Sequence, residues 1–220
     1  MKSFLRGLLN VVAFTAIAYA SYLLILLSLP FIHFEPEVDF LATKQLIYHI
    51  RPWRVSFYVH VFSSPFVIIA GLLQFSRWIM YNAPKIHRIS GYIYILILLF
   101  ISGPAAFIMS LYANGGYIAQ VSFVTLSILW LIFTFFAYKK IRNHDYIGHV
   151  KWNIRSFSLT LAAVSLRFYA YLFDVFNVNL GPRETYIVIA YISWIPNLIF
   201  AELLILLKYP QYLLKGKSQT

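Results

Sequence analysis

The hydrophobic residues of this chain fall into six long runs, separated by short segments rich in charged or turn-forming residues. The runs cover residues 8–32, 56–78, 92–113, 117–138, 153–176 and 187–207. Each is near or above the roughly 20 residues that an α-helix needs to cross about 30 Å of hydrocarbon. The pattern predicts an all-α polytopic membrane bundle of six transmembrane helices, with helices two to five as a central four-helix unit. Since the linkers are short except for residues 33–55, we expect a single transmembrane domain over residues 1–220.

The fifth run is polar along one side and apolar along the other when it is read at helical spacing. Its polar or small stripe consists of His149, Asn153, Ser156, Thr160, Ala163, Arg167, Ala170 and Asp174. The opposite stripe consists of Phe157, Leu161, Val164, Phe168, Leu172 and Val175. Such a helix turns one side to lipid and the other to the protein interior. Because an arginine near the centre of a membrane helix costs about 2.5–3.5 kcal/mol, we expect Arg167 to have a partner.

The second run repeats this pattern and predicts a polar interior shared by two helices. One of its faces carries His60, Ser64, Val67, Gly71, Gln74 and Trp78. At 1.5 Å per residue, His60 lies roughly 6 Å, Arg167 about 14 Å and Asp174 about 3 Å inside the outer boundary. The sequence therefore predicts an intramembrane polar cluster of these three residues.

A second group of polar residues is expected at the opposite boundary, where the third and fifth helices begin. It contains His87, Arg88, His149 and Arg155. Glu202 is placed about 8 Å inside that boundary by the same helical rise. It is the carboxylate of the sixth run that could neutralise this group from within the membrane.

The distribution of charge predicts an orientation. The chain is 61% hydrophobic and 11% charged, which argues against a soluble domain, and its lack of cysteine excludes disulfides and thiolate ligands. Its net charge of +11 is concentrated on one side of the predicted membrane. If the N-terminus is cytoplasmic, thirteen lysines and arginines lie in the segments on the cytoplasmic side. The segments on the outer side contain four, which are Lys44, Arg51, Arg54 and Arg183. Both termini should therefore be cytoplasmic, with the basic surplus facing anionic lipid and no nucleic-acid partner.

Two short motifs carry a family resemblance. The first is an HRxxGxxY string, His87-Arg88-Ile89-Ser90-Gly91-Tyr92-Ile93-Tyr94. The second is His149-Val150-Lys151-Trp152-Asn153-Ile154-Arg155-Ser156, which is followed at a distance by Arg167. Together with His60, Gly71 and Arg77 they resemble the predicted bacterial membrane proteins of domain-of-unknown-function family 2306, over about residues 56–175. Asn153 departs from the methionine that is more usual in the family. The resemblance implies a multi-pass protein of the bacterial inner membrane and carries no activity with it.

Redox chemistry is the first function that these residues suggest. One haem b could be ligated by His87 and His149, with Arg88 or Arg155 pairing its propionates, since axial ligation needs two facing imidazoles. A quinone headgroup is the other redox candidate, with His60 as proton acceptor beside boundary aromatics. Either cofactor would imply an electron-transfer or membrane-complex partner. No metal site is expected, because His144 and His149 have a weak spacing for a metal pair.

The alternative is a protein without redox chemistry. The boundary histidines could be structural, bonded to neighbouring carbonyls, and Arg167 could simply tie helices together. The chain would then be a non-catalytic assembly factor, or a transporter of a small substrate or protons that uses the buried polar groups. The sequence assigns no reaction and leaves open whether the protein is an enzyme.

Overall fold

The computed structural model describes residues 2–178 and 180–215, which form helices and no strand within those ranges. The α-helices in chain order are α1 Lys2–Ser28, α2 Arg51–Gln74, α3 Arg77–Asn82, α4 Pro84–Ile97, α5 Gly103–Ser110, α6 Tyr117–Arg142, α7 Tyr146–Thr160, α8 Ala162–Val175, α9 Pro182–Ile192, α10 Ile195–Leu206 and α11 Tyr209–Leu214. Two 3₁₀ segments, Leu29–His33 and Asp39–Lys44, and a π-helical segment, Leu98–Ser102, complete the fold.

Six stretches of this helical chain are long and apolar enough to cross a bilayer, which confirms the predicted polytopic bundle. They are Phe14–His33, Arg51–Gln74, Pro84–Ser110, Tyr117–Arg142, Tyr146–Val175 and Pro182–Leu206, numbered here as spans one to six. Spans two, three and six begin several residues before the hydrophobic runs do. Pro52, Pro84 and Pro182 sit at their first helical positions, where the missing N–H leaves no hydrogen bond unmade.

Spans two to five pack in chain order and form the central unit. In it α2 packs against α4 and α5, α5 packs against α6, and α6 packs most extensively against α7. The α7 helix also touches α2, which closes the four-helix unit. Spans one and six flank it, with α1 against α2 and α10 against α7.

The bundle has two different ends. The basic end contains the connection at residues 75–83, which includes α3, the turn at residues 143–145, and α11. Here the Arg77 side chain donates to the Lys215 carbonyl at 2.5 Å, and the Tyr81 hydroxyl donates to the Leu213 carbonyl at 3.0 Å. These hydrogen bonds connect α11 and the residue after it to α3. The loop end contains the connections at residues 34–50, 111–116 and 176–181. An aromatic cluster of Phe31, Trp53 and Phe57 is buried there.

Three of the spans are interrupted near their middles. Span three contains the π-helical segment before Pro104, and span six breaks at Trp194 before Pro196. Span five, predicted as one helix, is divided into α7 and α8 at Leu161. No proline or glycine lies at that break. The hydroxyls of Ser158 and Thr160 instead donate to the carbonyls of the preceding turn, which is known to bend helices.

Candidate functional site

A cavity of about 440 Å³ lies in the loop-end half of the bundle. Its walls are largely apolar and include seven aromatic side chains, those of Phe31, Phe40, Trp53, Phe57, Phe123, Trp130 and Tyr186. Hydroxyl groups of Ser64, Ser110, Ser127, Thr160 and Ser193 also line it. Three basic side chains, Lys44, His60 and Arg167, also line it. Among the residues that the structure describes, no aspartate or glutamate does so.

The cavity exists because α8 does not follow the packing of α7. Whereas α7 lies along α6 and α10, α8 packs mainly against α9, with a smaller contact to α1. The divergence at Leu161 leaves space between α8 and the helices that carry His60 and Trp130. The break in span five is thus the structural origin of the site.

His60 is held in one orientation by the broken helix of span three. Its Nδ1 lies 3.0 Å from the Ser102 carbonyl oxygen and 3.1 Å from the Ser102 hydroxyl. A carbonyl oxygen only accepts, so this geometry assigns the proton of the neutral ring to Nδ1. Within residues 2–178 and 180–215, Nε2 has no hydrogen-bond partner and remains an acceptor for a molecule in the cavity.

Arg167 reaches the cavity without a carboxylate. Its guanidinium donates to the Ala163 carbonyl at 3.0 Å, one turn back on α8. The described part of the chain contains two ion pairs, Lys140–Asp145 and Arg155–Glu202, and neither includes Arg167. Arg167 is exposed while it lines the cavity, so the cavity reaches the surface of the bundle at this residue.

Asp174 does not join the cluster that the sequence predicted. It lies on α8 two turns beyond Arg167, about 10 Å along the helix axis. There it is exposed and lines a separate pocket formed with Asn177 and Thr185. Two helical turns separate the two side chains along α8, and Asp174 lines this second pocket rather than the cavity. Of the predicted cluster, His60 and Arg167 come together.

Lys44 is the cavity residue that the sequence did not single out. It is 2% exposed, and its Nζ donates to the Tyr112 carbonyl at 2.6 Å. The same Nζ lies 5.4 Å from the ring centroid of Phe40 and 5.8 Å from that of Trp53. Burial lowers the pKa of Lys44 to about 8, because the charged form is poorly solvated there. Lys44 follows the fully buried Leu41 by three residues, so the two side chains lie on the same side of a helical turn. This spacing was the signal in the sequence that Lys44 faces inward.

A buried network of hydroxyl groups adjoins the cavity at Thr160 and Trp130, which line it. The Tyr94 hydroxyl lies 2.7 Å from Ser156 Oγ and 2.9 Å from Thr160 Oγ1, and Thr134 Oγ1 lies 2.6 Å from Ser156 Oγ. The Trp130 indole donates to Thr160 Oγ1 at 2.9 Å. These groups are buried and satisfy one another, so Ser156 and Thr160 of the predicted polar stripe belong to a hydroxyl network along α7.

Arg155 is engaged at the basic end by the carboxylate that the sequence suggested. Its Nε and a terminal nitrogen lie 2.5 and 2.8 Å from the two Glu202 oxygens, a bidentate pair between α7 and α10. Its guanidinium also lies 4.7 Å from the ring centroid of Trp152. The charge of Arg155 is therefore matched within the protein.

The other predicted ligands, His87, His149 and Arg88, lie at the same end. His149 Nδ1 donates to the Ala137 carbonyl at 2.9 Å, whereas His87 Nδ1 is buried and has no partner in the described residues. The two imidazoles are within Coulombic range of each other. Arg88 is exposed and makes a long 3.4 Å hydrogen bond to the Pro84 carbonyl. The described residues contain no group of three or more His, Cys, Asp or Glu that could hold a metal ion.

Comparison with known proteins identifies the family. The model of the family described as "Predicted membrane protein (DUF2306)" matches residues 57–205, more than half of the chain, and the chain belongs to this family. The match spans His60, Arg155, Arg167 and Glu202, whereas Lys44 precedes it. No curated protein and no solved structure matches the chain significantly.

Proposed function

We propose that this member of the DUF2306 family is a binding protein of the lipid bilayer, whose cavity holds one lipid-soluble amphiphile. The supporting observation is the convergence of Lys44, His60 and Arg167 on a space whose other walls are mainly apolar and aromatic. Small-molecule sites are typically about 300–1,000 Å³, mostly apolar, with few polar groups that fix orientation. The cavity matches this description in size and in lining.

Analysis of co-purified lipid tests this proposal. We expect organic extracts of the purified protein to contain an amphiphile in about equimolar amount, measured by mass spectrometry. Ala163→Leu fills the cavity from α8 and should reduce that amount at least fivefold. Ile132→Leu, on an exposed position of α6, is the control and should not. Equal amounts in all three proteins would contradict the proposal.

A redox function with a quinone in this cavity is supported by the fixed orientation of His60. With Nδ1 committed to Ser102, the free Nε2 could accept a proton from a quinol hydroxyl while Arg167 donates to the ring oxygens. His60→Asn keeps a donor for the Ser102 carbonyl and removes Nε2. Quinone in the wild-type extract that is lost in this variant would support the redox function, and an extract without quinone would exclude it.

A cofactor at the basic end is supported by the buried, unpaired Nδ1 of His87 beside His149. Because Arg155 is already paired with Glu202, Arg88 would be the arginine left for haem propionates. The visible spectrum of the purified protein tests this directly. A Soret band lost in His149→Ala would support haem, and a colourless protein would exclude it.

Transport is supported by the interruptions in spans three, five and six, since discontinuous helices often border transporter sites. A lipid-soluble ligand that exchanges between the leaflets of reconstituted vesicles faster with the protein than without it would favour transport over storage or assembly. The partner that an assembly or electron-transfer function needs remains a prediction.

For orientation, we propose that the basic end faces the cytoplasm of a bacterial inner membrane. The support is the excess of lysine and arginine in the segments at that end. Fusion of reporter enzymes after Lys140 and after Asn114 should give cytoplasmic and periplasmic activity, respectively. The reverse pattern would contradict this orientation.

A further inference from the structure

We propose that the head of the bound amphiphile is an anion, a carboxylate or a phosphate, held between Lys44 and Arg167. This inference rests on the proposed function and specifies the ligand class of the same cavity. Its basis is the one-sided charge of the lining: three basic groups and, within the described residues, no acid.

A second arginine of span five, Arg155, shows how a charge inside a span is neutralised elsewhere in this bundle. Arg155 lies in span five like Arg167, and its charge is neutralised by the two oxygens of Glu202. Among the described residues, Arg167 has no such acidic group and donates to the Ala163 carbonyl alone. An unpaired arginine is costly within a membrane, and an anion in the cavity would supply the missing counter-charge.

Lys44, which also lines the cavity, favours the same kind of ligand. Its charge is enclosed by Phe40, Trp53 and the Tyr112 carbonyl, and the lowered pKa reports how poorly that charge is solvated. In such surroundings a nearby anion favours the protonated lysine. A neutral head would leave both cations uncompensated.

The aromatic walls require that the anion also has an apolar tail. Phe31, Phe57 and Phe123 offer surface that a small inorganic anion would leave uncovered. Burial of this surface by a hydrocarbon chain contributes about 0.8 kcal/mol for each CH₂ group. Fatty acids and single-chain phospholipids both combine such a head with such a tail.

Quenching of tryptophan fluorescence by brominated chains tests the inference. The protein is placed in phosphatidylcholine nanodiscs at pH 7 and titrated with bromododecanoate, bromododecyl phosphate or neutral bromododecanol. Because the chain has five tryptophans, two variants are used in which the others are replaced by phenylalanine. One keeps Trp53 and Trp130, which line the cavity and report occupancy, and the other keeps the exposed Trp78, which reports background partitioning. We expect saturable quenching by one or both anions at concentrations at least tenfold lower than by the alcohol. The tighter of the two anions identifies the source of the head.

Single-residue variants distinguish the loss of a charge in the cavity from a loss of folding. Arg167→Gln and Lys44→Gln should each reduce the preference for the anion over the alcohol to less than threefold, whereas Arg167→Lys should retain it. Arg183→Gln, an exposed charge at the same end, is the control and should behave as wild type.

The outcomes distinguish this inference from the proposed function. Equal saturable quenching by all three probes would overturn the anionic head and leave the amphiphile site in place. The absence of saturable quenching by any probe would overturn both. A preference for the anion that survives in Arg167→Gln and Lys44→Gln would also overturn the inference, because another group would then be selecting the charge.

Discussion

The two halves of span five, α7 and α8, come from one continuous polar stripe and yet have opposite environments. On α7, Asn153, Ser156 and Thr160 are buried. On α8, Ala162 is the buried residue of the helix, and Arg167 is left without an ionic partner in the described chain. The first half is packed and internally satisfied, and the second lines a cavity.

This difference shows that a polar stripe does not by itself indicate a site. The role of the stripe depends on the residues that face it. On α7 the stripe contacts Thr134 and Trp130 of α6, whereas α8 borders the cavity. The groups that fix the helices together belong to α7. The groups available to a ligand belong to α8 and its opposing walls.

The largest expected effect is a difference in stability between variants of Glu202 and Asp174, the two carboxylates that the sequence offered as partners for basic residues of span five. Glu202→Gln leaves Arg155 unpaired in the span and should destabilise the protein by about 2–3 kcal/mol. Asp174→Asn, an exposed residue on α8 without an ion pair in the described chain, should change stability by less than about 0.5 kcal/mol. Reversible unfolding in mixed micelles measures both, and similar losses would remove the distinction between the halves.

Added volume should be tolerated differently in the two halves. A Cβ atom on Gly71 would lie 2.6 Å from the Phe157 ring of α7 and 2.9 Å from Tyr94, so Gly71→Ala should cost about 1–3 kcal/mol. Ala163→Leu, which projects into the cavity, should leave the same unfolding midpoint nearly unchanged. A large loss in the second variant would mean that the space beside α8 is closed.

The hydroxyl network should give a smaller effect. Tyr94→Phe removes the hydroxyl that contacts Ser156 and Thr160, and buried hydrogen bonds between membrane helices are worth about 0.6 kcal/mol on average, at most about 1.7. Tyr171→Phe, at a 64% exposed position on α8, should have no measurable effect on the same unfolding titration. Equal effects would contradict a network confined to α7.

The last prediction concerns pH. Because the pKa of Lys44 is lowered from 10.5 to about 8, the folded protein loses this proton above pH 8 while the unfolded chain keeps it until about pH 10.5. Folding stability should therefore rise with pH between these values. Binding of bromododecyl phosphate should weaken over the same interval, with His60, Arg167 and Tyr186 as the other titratable groups lining the cavity. A pH-independent affinity, or the same decline in Lys44→Gln, would remove Lys44 from the site.

Much of the fold could be predicted because hydrophobic length and charge distribution are properties of single segments. The six spans follow from the hydrophobic runs, and helical rise places Glu202 within reach of the basic group from which it pairs with Arg155. The break at Leu161 could not be predicted, since it depends on serine and threonine hydroxyls bonding back to their own helix. The separation of Asp174 from Arg167 has a different origin, since both residues lie on α8 beyond the break.

Lys44 illustrates a different limit. In the sequence it is one of four basic residues in the outer segments. Its burial arises because the segment Asp39–Lys44 folds back over the bundle, so that Lys44 meets Trp53 and the Tyr112 carbonyl. Contacts between a loop and distant helices depend on tertiary packing, which spacing alone does not encode.

Cysteine labelling tests the contrast between α7 and α8 most directly, because the chain contains no native cysteine. Three single-cysteine variants would be treated with N-ethylmaleimide in native membranes. They are Ala163→Cys in the cavity, Ser156→Cys in the α7 network and Phe168→Cys on the exposed face of α8. Since alkylation requires a thiolate and hence water, we predict rapid labelling at Ala163→Cys that bromododecyl phosphate blocks, and slow labelling at the other two. Equally slow labelling at all three positions, or labelling at Ala163→Cys that the phosphate does not change, would contradict a ligand cavity beside α8.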